Sequence, residues 1–66
     1  MSVTQRQIFS TLYGRGPKAV SELARLLYMH PDTISTHILD LEHRRLVVTV
    51  LQGNVRICRV AAWVLL

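Results

Sequence analysis

The spacing of apolar residues changes near Leu46, and this change limits the folds that the chain can adopt. Before that point, Ile34, Ile38 and Leu41 follow the i, i+4, i+7 spacing of one helical face. After it come the runs Leu-Val-Val-Thr-Val-Leu and Val-Arg-Ile-Cys-Arg-Val, separated by Gln-Gly-Asn. β-Branched runs around a glycine-containing turn are typical of a β-hairpin. The sequence therefore predicts an α+β fold in which a C-terminal hairpin follows helices.

Two shorter helical segments are predicted ahead of the one that carries Ile34. The first begins near Val3, where the spacing of Ser2 and Gln5 fits a capping box, and it ends before Gly14. The second begins at Ser21, a good N-cap residue, and spans about two turns. The chain is therefore expected to have three helices and a hairpin in one domain, residues 1–66.

The third helix is predicted to run from Pro31 to about Arg44, because proline is tolerated at the first helical position. Its apolar stripe leaves a polar far side, which consists of Thr33, Thr36, Asp40 and His43. One face of this helix is thus expected to pack in the core, and the other is available for contacts.

Composition narrows the classes of partner. Half of the 66 residues are hydrophobic and only 18% are charged, which favours a packed core over a disordered chain. The formal net charge of +4 favours a polyanionic partner, namely DNA, RNA or a membrane surface.

Insertion into a membrane and secretion are not expected. The longest purely apolar stretch, Val60 to Leu66, is far shorter than the roughly 20 residues of a spanning helix. No basic-then-apolar signal peptide opens the sequence, and the single Cys58 cannot form an internal disulfide. These features predict a cytoplasmic protein.

The block from Ser21 to Val47 resembles a known family. It reads Ser-Glu-Leu-Ala-Arg-Leu-Leu from Ser21, then His-Pro-Asp-Thr-Ile-Ser-Thr-His-Ile-Leu-Asp-Leu-Glu from His30, then Leu46-Val47. Two helices joined by a tight turn in this way resemble the winged helix-turn-helix DNA-binding regulators. The chain is similar in particular to the antibiotic-resistance and arsenical-repressor groups, and in size to the small pilus phase-variation regulators. The resemblance implies a cytoplasmic transcriptional regulator with three helices and a C-terminal hairpin wing.

The resemblance also assigns contacts with double-stranded DNA. The helix of residues 31–44 would be the recognition helix in the major groove, and the hairpin of residues 47–60 would be the wing on the backbone. Hydroxyl groups contact several bases or phosphate, and a carboxylate accepts from cytosine N4. The predicted contact residues are Asp32, Thr33, Ser35, Thr36, His37, Arg44 and Arg56.

Two of these assignments have structural alternatives. His37 borders the apolar stripe and fits a partly packed structural histidine equally well, and Arg44 is as suited to the helix C-terminal dipole as to phosphate. Arg56 is preferred to Arg59, because it is nearer the hairpin tip and the two point to opposite faces.

Three positions depart from the family pattern. Thr36 stands where the family often has arginine, so the recognition helix carries little positive charge of its own. Tyr28 and Arg45 stand where the family commonly has glycine, so a left-handed residue or a different exit is expected at each.

Enzymatic activity is not predicted. Cys58 lies in a predicted strand with no histidine fixed beside it, the carboxylates are dispersed, and there is no phosphate-cradling glycine motif. A metal site is not expected, because His37 and His43 are six residues apart and point to different helix faces. No cofactor is predicted.

Other binding functions stay open. A winged helix that contacts proteins, as an adaptor or antagonist of another regulator, is the main alternative, and RNA binding is a third. The protein-contact alternative is favoured by Leu39 and by the apolar C-terminal segment, residues 61–66, which includes Trp63. An exposed apolar segment of this kind usually marks an interface, and it predicts a homodimer through this segment. The alternative for Trp63 is that it folds back over the helical core.

Overall fold

Three helices precede a hairpin, as the sequence predicts. The computed structural model describes residues 1–66. The helices are α1 (Val3–Arg15), α2 (Val20–Leu27) and α3 (Pro31–His43). The strands are β1 (Lys18–Ala19), β2 (Val47–Gln52) and β3 (Val55–Val60), and a short 3₁₀ helix, Ala62–Leu65, follows them. None of the helices combines the length and the apolar character needed to cross a bilayer.

The strands form one antiparallel sheet in the order β1-β3-β2. Gln52 pairs with Val55 across a two-residue turn, in which Gly53 has a φ of 63° and Asn54 does not have a positive φ. A positive φ at the first central residue alone matches a type II′ turn, whose twist suits the flanking strands. Glycine adopts this φ without the steric cost of a Cβ atom, which explains its place in the turn.

The core lies between the helices and one face of the sheet. Val47, Cys58 and Val60 are buried on that face, which we call the inner face of the sheet. The register gives the inner face six residues of β2 and β3: Val47, Thr49, Leu51, Arg56, Cys58 and Val60. Against its buried part pack the apolar side chains of all three helices, including Ile8, Leu12, Leu23, Ile34, Ile38 and Leu41.

Two predicted helix boundaries were wrong. Helix α1 continues through Gly14 and ends at Arg15, because Gly16 (φ 85°) and Pro17 provide the stop. A glycine inside a helix costs about 1 kcal/mol relative to alanine without ending it. Ser21 is not the N-cap of α2, since the helix begins at Val20 directly after Ala19 leaves its pairing with β3.

The turn that ends α2 and the turn that ends α3 each contain a residue other than glycine in the left-handed conformation. Tyr28 has a φ of 56° and Arg45 a φ of 60°, so the first of the two expected alternatives, a left-handed residue, is present at both positions. After α3, the amide of Arg45 donates to the Glu42 carbonyl (2.9 Å) and that of Leu46 to Leu41 (3.0 Å). This pair of bonds is a Schellman motif, and it turns the chain directly from α3 into β2.

The C-terminal segment lies mostly on the surface. Val64 packs against the core, whereas Leu65 and Leu66 are exposed. Trp63 is 56% exposed, and its indole Nε1–H donates to the Arg45 carbonyl at 2.6 Å. The outward-facing segment that the sequence predicts is therefore present, and Trp63 is anchored to the turn before β2 without being buried in the core.

Replacing Tyr28 by glycine is expected to stabilise the domain. The side chain of Tyr28 is 95% exposed, so its removal costs little packing, and glycine relieves a left-handed conformation worth about 1 kcal/mol. For a domain of this size, urea unfolding should gain about 1 kcal/mol and the Tm should rise by about 4–8 °C. Tyr28→Ala removes the same ring but keeps a Cβ atom, so it should not stabilise. Equal Tm values for the two variants would contradict this interpretation.

Candidate nucleic-acid interface

One face of α3 is open to solvent along the whole helix. Because Ile34, Ile38 and Leu41 are buried, the residues on the opposite side point outward. After Pro31, the exposed residues of α3 are Asp32, Thr33, Thr36, Leu39 and His43. Three of the five predicted base contacts, Asp32, Thr33 and Thr36, thus share this face.

Ser35 and His37 are half-buried on the flanks of α3. The Nδ1 atom of His37 lies 3.3 Å from Nε2 of Gln5 in α1. His37 therefore faces α1, which agrees with the structural alternative considered for it, and its DNA contact stays a prediction.

A polar cluster joins α1 to α3. Gln5 is only 7% exposed, and its Nε2 donates to Oδ2 of Asp40 at 2.7 Å. Arg44 donates from Nε to the same oxygen at 3.2 Å. These contacts hold the pKa of Asp40 below its usual value: the Gln5 hydrogen bond is the largest single cause, and Arg44 adds its charge and its own hydrogen bond.

The cluster adds a polar contact between α1 and α3 and engages one predicted site residue. Arg44 is engaged with Asp40, although its side chain stays about half exposed. Sequence reasoning missed the tertiary role of Gln5, because Gln5 and Asp40 lie 35 positions apart. The local signal at Gln5 was only the predicted capping box, of which the structure forms the Ser2 half: the backbone N–H of Gln5 donates to Ser2 Oγ at 3.1 Å.

Arg56 lies beside the starts of α2 and α3. It is exposed on the inner face of the sheet near the wing tip. A groove of about 300 Å³ is lined there by Ala19, Val20, Ser21, Pro31, Asn54, Val55 and Arg56. No side chain caps the N-terminus of α2, so its first amide N–H groups have no side-chain acceptor. A guanidinium, a hydroxyl and helix N-terminal amides are all groups that bind phosphate.

Charge is distributed unevenly between the helix and its surroundings. Three of the four acidic residues, Asp32, Asp40 and Glu42, lie in α3, which contains no Lys or Arg. Glu42 accepts a hydrogen bond from the Thr49 hydroxyl at 2.9 Å, so it faces β2. Asp32 is thus the carboxylate that extends farthest into solvent, and the positive charge of the chain lies outside α3.

The remaining reactive groups do not form a chemical site. Cys58 is buried, and burial raises the pKa of its thiol to about 11, with a further increase from Glu42. A thiol with so high a pKa is a poor nucleophile at neutral pH. No cluster of three or more His, Cys, Asp or Glu side chains is arranged to hold a metal ion.

Solved structures with the same architecture include DNA-associated proteins. A transcriptional regulator from Thermotoga maritima is 20% identical with a TM-score of 0.85, over 94% of this chain and 46% of that chain. An ArsR-family transcriptional regulator is 37% identical with a TM-score of 0.77, over 89% of this chain and 60% of that chain. The Zalpha domain of PKZ from Carassius auratus, in complex with Z-DNA, is 16% identical with a TM-score of 0.79, over 86% of this chain and 90% of that chain.

The likenesses concern structure more than sequence. No protein-family model matches the chain, and no curated protein matches it. The chain spans about half to three fifths of the length of the two transcriptional regulators described above. The predicted winged helix-turn-helix architecture, α+β with three helices and a C-terminal hairpin wing, is confirmed.

The hydrogen bond from Gln5 to Asp40 can be tested by measuring the pKa of Asp40. In Gln5→Leu, the pKa of Asp40 should rise toward its ordinary value of 3.8, as measured by NMR of the carboxyl carbon. Arg44→Gln should raise it as well, because Arg44 lowers this pKa through its charge and through its hydrogen bond. An unchanged Asp40 pKa in Gln5→Leu would contradict the assigned hydrogen bond.

The same change has a consequence for stability. A depressed folded pKa means that Asp40 stabilises the protein above its unfolded pKa and loses this effect as the pH falls through the folded value. Urea unfolding between about pH 5 and about pH 2 should therefore show a shallower acid loss in Gln5→Leu than in the wild type.

Proposed function

We propose that this chain, a winged helix-turn-helix domain of the kind that transcriptional regulators carry, binds duplex DNA in the cytoplasm to regulate transcription. In this proposal α3 enters the major groove and the wing, residues 47–60, contacts the backbone. The observation that carries it is the groove in which Arg56 meets the uncapped N-terminus of α2 and the start of α3.

Backbone contacts would come from this groove. Phosphate oxygens accept hydrogen bonds from amide N–H groups, hydroxyls and guanidinium groups, and these contacts fix the orientation of a protein on the duplex. Arg56, the Ser21 hydroxyl and the first amides of α2 supply all three types of donor within one groove. Arg44 is a weaker candidate for phosphate, because Asp40 already neutralises it.

Base contacts would come from the exposed face of α3. Thr33, Thr36 and Asp32 are exposed in its first turns, next to the phosphate-binding groove. The Thr36 hydroxyl donates to the Asp32 carbonyl at 3.0 Å, so it remains available as an acceptor. Ser35 and His37 flank this face and would contribute only at its edges. The Zalpha domain in complex with Z-DNA supports the proposal at the level of fold.

The acidic character of α3 favours a second function. The exposed carboxylate of Asp32 is repelled by phosphate, α3 has no Lys or Arg to offset it, and Leu39 is 51% exposed on the same helix. A protein partner that presents basic and apolar groups would fit this face. In that case the domain would act as an adaptor or antagonist of another regulator.

We further propose that the domain is a homodimer in which the C-terminal segment, including Trp63, takes part. Leu65 is 61% exposed and Leu66 is fully exposed, so both present apolar surface to solvent. Two-fold symmetry would place two copies of α3 about 34 Å apart on successive major grooves of a palindromic site.

Fluorescence anisotropy with labelled DNA duplexes tests the DNA contacts. Wild-type affinity should fall steeply with salt, because binding releases counterions from phosphate. Arg56→Gln should weaken binding to all sequences alike and reduce the salt slope by about 1. Arg59→Gln, on the opposite face of the same strand, is the matched control and should change little. Thr36→Val should relax base preference and leave the salt slope unchanged.

Three outcomes would count against this account. Undetectable binding at low salt, or affinity independent of salt, would favour the protein-contact function. Equal losses for Arg56→Gln and Arg59→Gln would remove the proposed groove from the interface. A sequence-independent loss for Thr36→Val would mean that α3 does not read bases.

Sedimentation equilibrium tests the role of the C-terminal segment. The double variant Leu65→Asn/Leu66→Asn should dissociate more readily than the wild type, because it removes exposed apolar surface. Tyr28→Asn is the control, since Tyr28 is an exposed residue at the opposite end of α3 and asparagine tolerates its left-handed backbone. A wild-type protein that remains monomeric with and without DNA would exclude the dimer.

A further inference from the structure

The two edge strands of the sheet, β1 and β2, differ in the features that prevent pairing with a strand of another chain. Strand β1 spans only Lys18–Ala19 and follows Pro17, so it is short and carries a charge at its edge. Strand β2 has six residues, Val-Val-Thr-Val-Leu-Gln, with no charge and no proline, and it pairs with β3 without a bulge. Short length, charge, proline and bulges are the usual means by which proteins block edge pairing. Strand β2 uses none of them.

The register determines which backbone groups of β2 are unpaired. In an antiparallel hairpin with a two-residue turn, the residues that flank the turn form a hydrogen-bonded pair, and the two pair types then alternate. Gln52, Val50 and Val48 therefore direct their backbone groups to β3. Val47, Thr49 and Leu51 direct theirs outward, which leaves three N–H and three C=O groups along one edge.

We infer that this edge pairs with the β2 strand of a second copy, antiparallel, with Thr49 on the two-fold axis. In that register Thr49 faces Thr49 of the second copy, and Val47 faces its Leu51. All three outward residues of each copy then lie in hydrogen-bonded pairs, so every unpaired group of the edge finds a partner. The two sheets become one sheet of six strands, and the association closes at two copies because each β1 edge is blocked.

The side chains of β2 are compatible with pairing to a second copy of the strand. On the outer face of the sheet, Val48 of one copy lies opposite Val50 of the other, and pairs of β-branched residues stabilise strand pairing. Both valines are exposed in the single chain, at 37% and 43%. The absence of charge in residues 47–52 also lets two copies of net charge +4 approach here without repulsion between edge side chains.

This strand pairing rests on the proposed homodimer and specifies one of its contacts, and it does not depend on DNA binding. Leu51 of the second copy lies opposite Val47, two positions after Arg45, whose carbonyl binds the Trp63 indole. The exposed ring of Trp63 therefore lies near the turn that precedes β2. One strand pair buries less than the roughly 1,200 Å² at the low end of stable interfaces, so we expect weak association of free chains. Any second contact that holds two copies together would favour the pairing.

Disulfide trapping without DNA tests the register. The register predicts that Cα atoms 48 and 50 of the two copies are about 4.5 Å apart, which is within the range for a disulfide. Equimolar Val48→Cys and Val50→Cys proteins should therefore cross-link to a heterodimer under mild oxidation. Val48→Cys mixed with Val55→Cys is the matched control, because Val55 is exposed on the same outer face but lies in β3. The buried Cys58 does not compete.

At about 0.1 mM chain, the first mixture should cross-link at least about tenfold faster than the control, because pairing raises the local thiol concentration into the millimolar range. Equal rates in the two mixtures would overturn the proposal. Faster cross-linking of either variant with itself would overturn the Thr49 axis. NMR of the unmodified protein gives a second readout: concentration should shift the amide protons of Thr49 and Leu51 more than those of Val48 and Val50. Shifts independent of concentration would overturn the pairing as well.

Discussion

Burial of one face of α3 sets the orientation of this helix and of the polar groups around it. Ile34, Ile38 and Leu41 are almost completely buried, so α3 can adopt only one rotation about its axis. That rotation exposes Thr36, brings Asp40 to Gln5 and brings Glu42 to Thr49. A small domain buries a limited share of its surface, and each buried aliphatic side chain contributes roughly 1.5–3 kcal/mol, so the apolar stripe outweighs the polar contacts beside it. The polar contacts refine an orientation that packing has already set.

The turns at the two ends of α3 show a balance between local and tertiary preferences. Tyr28 and Arg45 both occupy the left-handed region without being glycine, at a cost of about 1–2 kcal/mol each. Each position lies where the chain must reverse sharply so that an apolar segment reaches the core: α3 after Tyr28, and β2 after Arg45. Burial of those segments offsets the local cost. The indole of Trp63 donates to the carbonyl of Arg45 and so adds a tertiary contact to the second turn.

Much of the fold could be predicted from the sequence because its signals are local. The helical spacing of Ile34, Ile38 and Leu41 defined α3, and the β-branched runs around Gly53 defined the hairpin. The start of α2 could not be predicted in this way, because it is set by the pairing of Ala19 with Ile57, a contact distant in sequence. The same applies to the candidate site: the exposure of Thr33 and Thr36 follows from helix period, whereas the contact of His37 with Gln5 depends on how two helices pack. The groove around Arg56 likewise needs the register of the sheet, which periodicity alone does not provide.

In the proposed function, the exposed face of α3 and the groove around Arg56 together form one DNA-binding surface. NMR mapping of backbone amides during titration with a DNA duplex tests it most directly. We expect the largest shifts at the start of α2, in the first turns of α3 and at the wing tip around Asn54 and Arg56. Shifts confined to the C-terminal segment or to the outer face of the sheet, or no shifts at low salt, would contradict it.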